Sequence, residues 1–169
     1  MNPPVLRGTA VELRPIEVGD LEPLWELITA PEVSRWWDVH PRAARFEEWL
    51  EPDLQWAIVA DGAVAGLIQA YEETEPDFRH AGVDLFVGTP FHGRRLGRDA
   101  LRAVCRWLFE ERGHHRLVID PARANERAIH CYESVGFRPV GVMRAYWLDH
   151  TTGTWVDGVL LDLLVGELR

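Results

Sequence analysis

Three stretches of this chain carry residue types whose spacing suits chemistry as well as packing. The first is "NERAIHCYESVGF", Asn125 to Phe137. Asn125 suits a helix N-cap and Gly136 suits the stop after it. Between them Ala128, Ile129 and Tyr132 fall on one side of a helix. A tyrosine there either packs half-buried or presents a phenol that can give up a proton. The second is Asp84, a carboxylate inside the apolar run Val83-Asp84-Leu85-Phe86-Val87. Such a break in local pattern is expected at functional sites; the alternative is an acid on the solvent face of an edge strand. The third is "HGRRLGRDA", which feeds a helix start. Backbone N–H groups at a helix N-terminus favour an anion such as phosphate, and Arg94, Arg95 and Arg98 add charge. The alternative is a basic turn and cap.

Further acids and aromatics lie nearby in sequence. Glu72, Glu73, Glu75 and Asp77 precede Asp84, and Asp120 follows it. Together they can line an acidic cleft, or the glutamates can belong to a solvated loop. Trp36 and Trp37 can stack on a sugar ring or flank a cation, or close a lid over the first helix. Acids have a specific use beside an amine. An alkylammonium of pKa ~10 leaves only about one part in a thousand as free amine at pH 7. A carboxylate binds the cation, and one whose pKa is raised by burial or clustering can take its proton.

The elements that position these residues follow from periodicity. "TAVELRPIEV" alternates as a strand. Asp20 is expected to cap a helix carrying Leu21, Leu24, Trp25 and Ile28, ended by Pro31. "EVSRWWDVHP" reads as a loop or short helix, and "RAARFEEWL" as a second short helix. "QWAIVADGAVAGLIQAYEE" is a hairpin turning at Asp61-Gly62, and "GVDLFV" is a strand. A helix is expected from Asp99, with Leu101, Val104, Cys105 and Leu108 on one face, stopped by Gly113. "HRLVID" is a buried strand, the Asn125 segment a helix, and "RPVGVMRAYWLD" with "TWVDGVLLDLLV" two strands around Thr151 to Gly153. Hairpins at both ends and strand–helix–strand units between them give an α+β class with a mixed, partly parallel sheet flanked by helices.

The bulk numbers bound the function. The 169 residues suit a single domain over 1–169. Lys and Arg number 18 against 27 Asp and Glu, a formal charge of −9. That argues against nucleic acid as a partner and permits a cationic one. Cys105 and Cys131 sit in apolar helical patterns without metal-ligand spacing and read as core residues, with no metal expected. No signal peptide and no membrane span is recognised, so a cytoplasmic protein is expected, monomeric or homodimeric.

The third and first stretches, in that order, resemble the GNAT superfamily of acyl-CoA-dependent N-acyltransferases. That family has a loop of pattern Gln/Arg-x-x-Gly-x-Gly/Ala before a helix, and later Asn-x-x-Ala-x-x-x-Tyr-x-x-x-Gly-Phe. The later pattern is met at Asn125, Ala128, Tyr132, Gly136 and Phe137. In the loop His92 replaces Gln/Arg, Arg95 stands at the inner glycine, and Gly97 is kept. The resemblance implies a GNAT-type twisted sheet. It also implies acetyl-CoA bound by Leu85, Phe86, Val87, the loop His92, Gly93, Arg94, Arg95, Leu96, Gly97 and Arg98, and by Asn125, Ala128 and Tyr132. Tyr132 would protonate the departing thiolate. Narrower likeness to aminoglycoside 6′-N-acetyltransferases rests on Trp36-Trp37, on Gly82-Val83-Asp84-Leu85-Phe86, and on Asp120-Pro121. It implies Asp84 as general base and a polycationic amine held by Trp36, Trp37, Glu72, Glu73, Asp84 and Asp120. Protein N-terminal or polyamine acetylation, and a non-catalytic CoA-binding module, are the alternative expectations.

Overall fold

The computed structural model describes residues 3–37 and 54–169. The expected helix in "RAARFEEWL" lies outside the described residues. Among the described residues, eight strands form one sheet in the order β1-β2-β3-β4-β5-β6-β8-β7. They are β1 (Leu6–Arg7), β2 (Glu12–Pro15), β3 (Gln55–Ala60), β4 (Ala63–Glu73), β5 (His80–Val87), β6 (Arg116–Ile119), β7 (Arg138–Asp149) and β8 (Thr154–Leu164). The helices are α1 (Leu21–Thr29), α2 (Pro31–Ser34), α3 (Leu96–Glu110) and α4 (Glu126–Val135). The expected α+β class with a mixed sheet is the one observed, and β5–β6 is its parallel pair.

Strand alternation sorts the side chains into two layers. Leu13, Ile58, Ile68, Val83 and Leu85 face the core beneath α3 and α4, with Leu101, Val104 and Leu108 of α3. Leu67 and Phe86 face the other way and meet Leu24, Ile28 and Val33 of α1 and α2. Two expectations about helix starts need correction. Asp20 stands before α1 but makes no side-chain cap. Its carboxylate instead takes Arg14 at 2.6 and 2.8 Å and the Glu17 N–H. Helix α3 begins at Leu96, three residues before Asp99, because Arg95 takes a left-handed φ of +61° and turns the chain into the helix. Asp99 then accepts from the N–H groups of Thr9, Ala10 and Val11, pinning the N-terminal strand turn.

The feature that makes a site is a split in the sheet. β5 and β6 pair only at Ala81↔Leu117 and Gly82↔Val118. Beyond Ile119 the chain follows β8: Pro121 C=O accepts from Val159 N–H, and Arg123 N–H donates to Asp157 C=O. Residues 83–87 of β5 therefore diverge from the segment after β6, and a cleft opens at the C-terminal ends of the parallel pair. Among the described residues no helix is long and apolar enough to cross a membrane.

Candidate active site

A cavity of about 540 Å³ occupies this split. Its walls are the far half of β5 (Asp84 to Val87), the segment Ile119 to Ala122 after β6, and the cavity-facing side of α4 with Asn125, Ala128, Cys131 and Tyr132. Trp36 and Trp37 after α2, and Tyr146 and Trp147 of β7, complete it. Trp37 packs edge-on against Phe86 with ring centroids 5.2 Å apart and donates its indole N–H to Leu85 C=O at 3.1 Å. The two tryptophans are half-buried in the cavity wall. The carbonyls of Leu85 and Val87 point away from β4, since Trp37 and His92 reach them. That edge can pair with an amide-bearing chain.

Asp84 pairs with Gln69 of β4 on one side and opens onto the cavity of the split on the other, so it is not an acid on the solvent face of an edge strand. Burial, and after it the charge of Asp120, push its carboxyl up to about 6, against a hydrogen bond from Gln69 that lowers it. Asp120, in the segment after β6, accepts a hydrogen bond from the Tyr146 hydroxyl. Glycines make room for two rings beside these acids. A Cβ on Gly82 would lie 2.0 Å from the Tyr71 ring, and one on Gly158 2.7 Å from the Tyr146 ring. Tyr132 is buried at 8% exposure. Burial first, then the charge of Asp84, raises its phenol, so it keeps its proton. Asn125 accepts from Ala128 N–H at 3.2 Å and so caps α4, while Gly136 ends the helix at φ +120°.

The acids on β4 are elsewhere. Glu72 is not among the cavity-lining residues; it binds Arg112 at 2.7 Å and His114 at 2.7 Å. Glu73 caps the Glu75 N–H in an exposed turn. Their expected place against the substrate is therefore corrected: Glu72 is spent on two partners some 40 residues away, and Glu73 is solvated.

The segment His92 to Arg98, expected to hold phosphate, departs from that expectation in its details. Arg94 pairs with Asp61 in the β3–β4 turn, and Arg98 donates to Ser134 C=O at 3.3 Å between α3 and α4. Leu96 is core, while His92 and Gly97 line the cavity. Gly93 at φ +78° and Arg95 at φ +61° give the turn a glycine-like path. The left-handed conformation at Arg95 costs about 1–2 kcal/mol. The first-turn amides of α3 have no intrahelical acceptor and carry the positive end of the helix dipole. Arg127, not among the candidate site residues above, lines the cavity and donates to His92 Nδ1 at 2.9 Å. An acceptor at Nδ1 leaves the proton on Nε2, which donates to Val87 C=O at 2.7 Å. The signal available in sequence was its spacing, two residues after the cap Asn125. Cys105 is buried in the core as expected, whereas Cys131 borders the cavity. A split strand edge, helix-start amides and a nearby guanidinium fit a ligand that carries both amides and a diphosphate.

Comparison with known proteins agrees with that chemistry. An aminoglycoside N(6′)-acetyltransferase type 1 of Klebsiella pneumoniae is 28% identical over 156 residues, covering 79% of this chain and 77% of that protein. The spermidine N(1)-acetyltransferase of Escherichia coli K12 is 25% identical over 140 residues, covering 78% and 75%. The structure of Mycobacterium smegmatis RimJ in complex with CoA-disulfide superposes with a TM-score of 0.82, covering 98% of this chain and 88% of that one at 21% identity, and so shares the fold. Residues 10–138 match the family described as the acetyltransferase (GNAT) domain, and this chain belongs to that family.

Proposed function

We propose that this acetyltransferase moves acetyl from acetyl-CoA to a primary amine of a polycationic small molecule, with the 6′-amine of an aminoglycoside as its acceptor. One observation carries the reading: two carboxylates, Asp84 and Asp120, converge on a cavity that also holds the phenol of Tyr132. The thioester supplies an electrophilic carbonyl when bound. The residues of the chain do the rest. Asp120 attracts the ammonium and Tyr146 fixes its carboxyl. Asp84, raised to about 6, takes the amine proton directly or through one water, a better base than an ordinary aspartate while still ionised at pH 7.5. Tyr132 gives its proton to the departing sulfur. Arg127 and the α3 amides hold the diphosphate, and Asn125 and the Leu85–Val87 edge hold the amide-bearing arm.

A second reading has its own support. The likeness to a spermidine acetyltransferase is close to that for the aminoglycoside enzyme, and a polyamine would use the same carboxylates. Thiol release from acetyl-CoA should be measured across 6′-amino and 6′-hydroxyl aminoglycosides, spermidine and N-terminal peptides. The proposal expects turnover of the 6′-amino compounds and none of the 6′-hydroxyl ones. Faster turnover of spermidine transfers the acceptor to polyamines. Acetyl-CoA binding with no turnover of any amine overturns both in favour of a binding module.

A further inference from the structure

We propose that Gln55, a buried side chain outside the cavity, is a positioning residue that holds the Gln69 amide with its NH2 turned toward Asp84. This rests on the reading of Asp84 as proton acceptor. Gln55 stands opposite Gln69 across β3 and β4, and Gln69 stands opposite Asp84 across β4 and β5. Directly paired residues share a sheet face, so the three side chains form a row on the side covered by α1 and α2. Gln55 Nε2 donates to Gln69 Oε1 at 2.8 Å. A carboxamide has one acceptor prong and one donor prong. With its oxygen held by Gln55 and its side chain directly across from Asp84, Gln69 presents its NH2 to the carboxyl, an interaction that lowers the proton affinity of Asp84.

The arrangement has a chemical consequence. A carboxyl that accepts from NH2 is favoured as the anion, the form able to take a proton. A carboxyl facing an amide oxygen bonds to it only when protonated. Released from Gln55, the Gln69 amide can turn either way, and part of the population of Asp84 is then held in the form that cannot act as base. Gln55 is an amide with 7% exposure beside Trp56, Ala57 and Ile58, and such burial is costly unless the group is bonded. The groups facing Asp84 are Asp120 after β6, Tyr71 of β4, Tyr132 of α4 and Tyr146 of β7. Glu32 of α2, with His92, Arg127 and His150, also lines the cavity. All of these stay in place when Gln55 is changed, so a shifted titration reports the amide row.

The test compares Gln55→Met, Gln69→Met and the double variant with the parent protein. Each is measured as kcat/KM from pH 5 to 9 and as the 13C carboxyl titration of Asp84, with CoA affinity as the control for folding. Gln69→Met should move the acid limb and the Asp84 titration up by about one pH unit. Gln55→Met should move both in the same direction by up to that amount, and should add nothing in the Gln69→Met background. Gln55→Leu replaces Gln55→Met if that variant does not bind CoA. Unmoved profiles in a Gln55 variant that binds CoA, or a further shift in the double variant, overturn the relay while leaving Asp84 as acceptor. Full turnover by Asp84→Asn overturns the reading on which the relay rests.

Discussion

Asp84→Asn is expected to stabilise the protein at neutral pH while abolishing most turnover. Burial, reinforced by Asp120, lifts the Asp84 carboxyl to about 6, where an ordinary aspartate titrates near 3.9. At 1.36 kcal/mol per pH unit the gap amounts to about 3 kcal/mol. The carboxyl opens onto the cavity, so solvent screens part of this and about 2 kcal/mol is the working figure. Because the folded state holds the proton more tightly than the unfolded chain, Asp84 contributes most favourably below about pH 4. That contribution is lost as pH rises through 6. Asparagine keeps the shape and carries no charge to desolvate. Its advantage should therefore be full above pH 7 and shrink steadily from pH 6 to 4. For a chain of this length 2 kcal/mol corresponds to roughly 4–8 °C in Tm. Paired thermal melts at pH 7.5, 6.0 and 4.5 measure it. Equal melting temperatures at pH 7.5, or a difference that ignores pH, would refute a raised carboxyl at this position.

Tyr132→Phe should lower kcat by about 10²–10⁴-fold with small effects on either KM, because a thiolate donor acts once both substrates are bound; steady-state kinetics with a full-rate variant would leave the ring as packing. Arg127→Gln should weaken acetyl-CoA and its 3′-dephospho form by the same factor, about tenfold for one lost charge-assisted contact, and leave acetyl-pantetheine unaffected. Equal losses with all three would detach Arg127 from the diphosphate. Glu72→Gln should cost about 1–2 kcal/mol of stability at pH 7 in urea melts with the acceptor KM unchanged. Arg112, ahead of His114, holds the Glu72 carboxyl below its usual range, so this stability is present above about pH 4 and lost as pH falls through the lowered value. A large rise in acceptor KM would return Glu72 to the cleft.

The elements were legible where periodicity and turn chemistry agreed. The β3–β4 hairpin turns at Asp61-Gly62 as its sequence indicates, and α4 runs from its Asn125 cap to Gly136. Helix α3 starts before the expected Asp99 because an arginine in left-handed conformation does the turning that a glycine would announce. Asp20 departs from its expected role for a different reason. Its local position is that of a cap, but Arg14 six residues earlier offers a two-pronged charge-assisted bond that a cap cannot match. The two-residue strand β1 has too short a pattern to register, and Asp99 ties down the turn that follows it from 88 to 90 residues away.

Which acids matter is decided by which positive groups they meet, and that is a tertiary fact. Glu72, Asp84 and Asp120 look alike in sequence, each a carboxylate at or near a strand end or within a strand. Glu72 meets Arg112 and His114, whose positions follow from how α3 ends beside β4. Arg94 likewise meets Asp61, which takes a cation away from the turn before α3, and Arg127 arrives from α4 against His92. Asp84 and Asp120 meet each other across the split, with phenols and a carboxamide as neighbours. Burial and the charge of Asp120 raise the proton affinity of Asp84, an arrangement that lowers stability at neutral pH and that, under the proposed function, a bound polycation would relieve. The split itself arises because the chain after Ile119 pairs with β8 in preference to β5. The same divergence leaves the Leu85 and Val87 edge unpaired with β6 and brings Asp84 and Asp120 to one cavity, so the cofactor-holding and acceptor-holding roles proposed above rest on one structural cause.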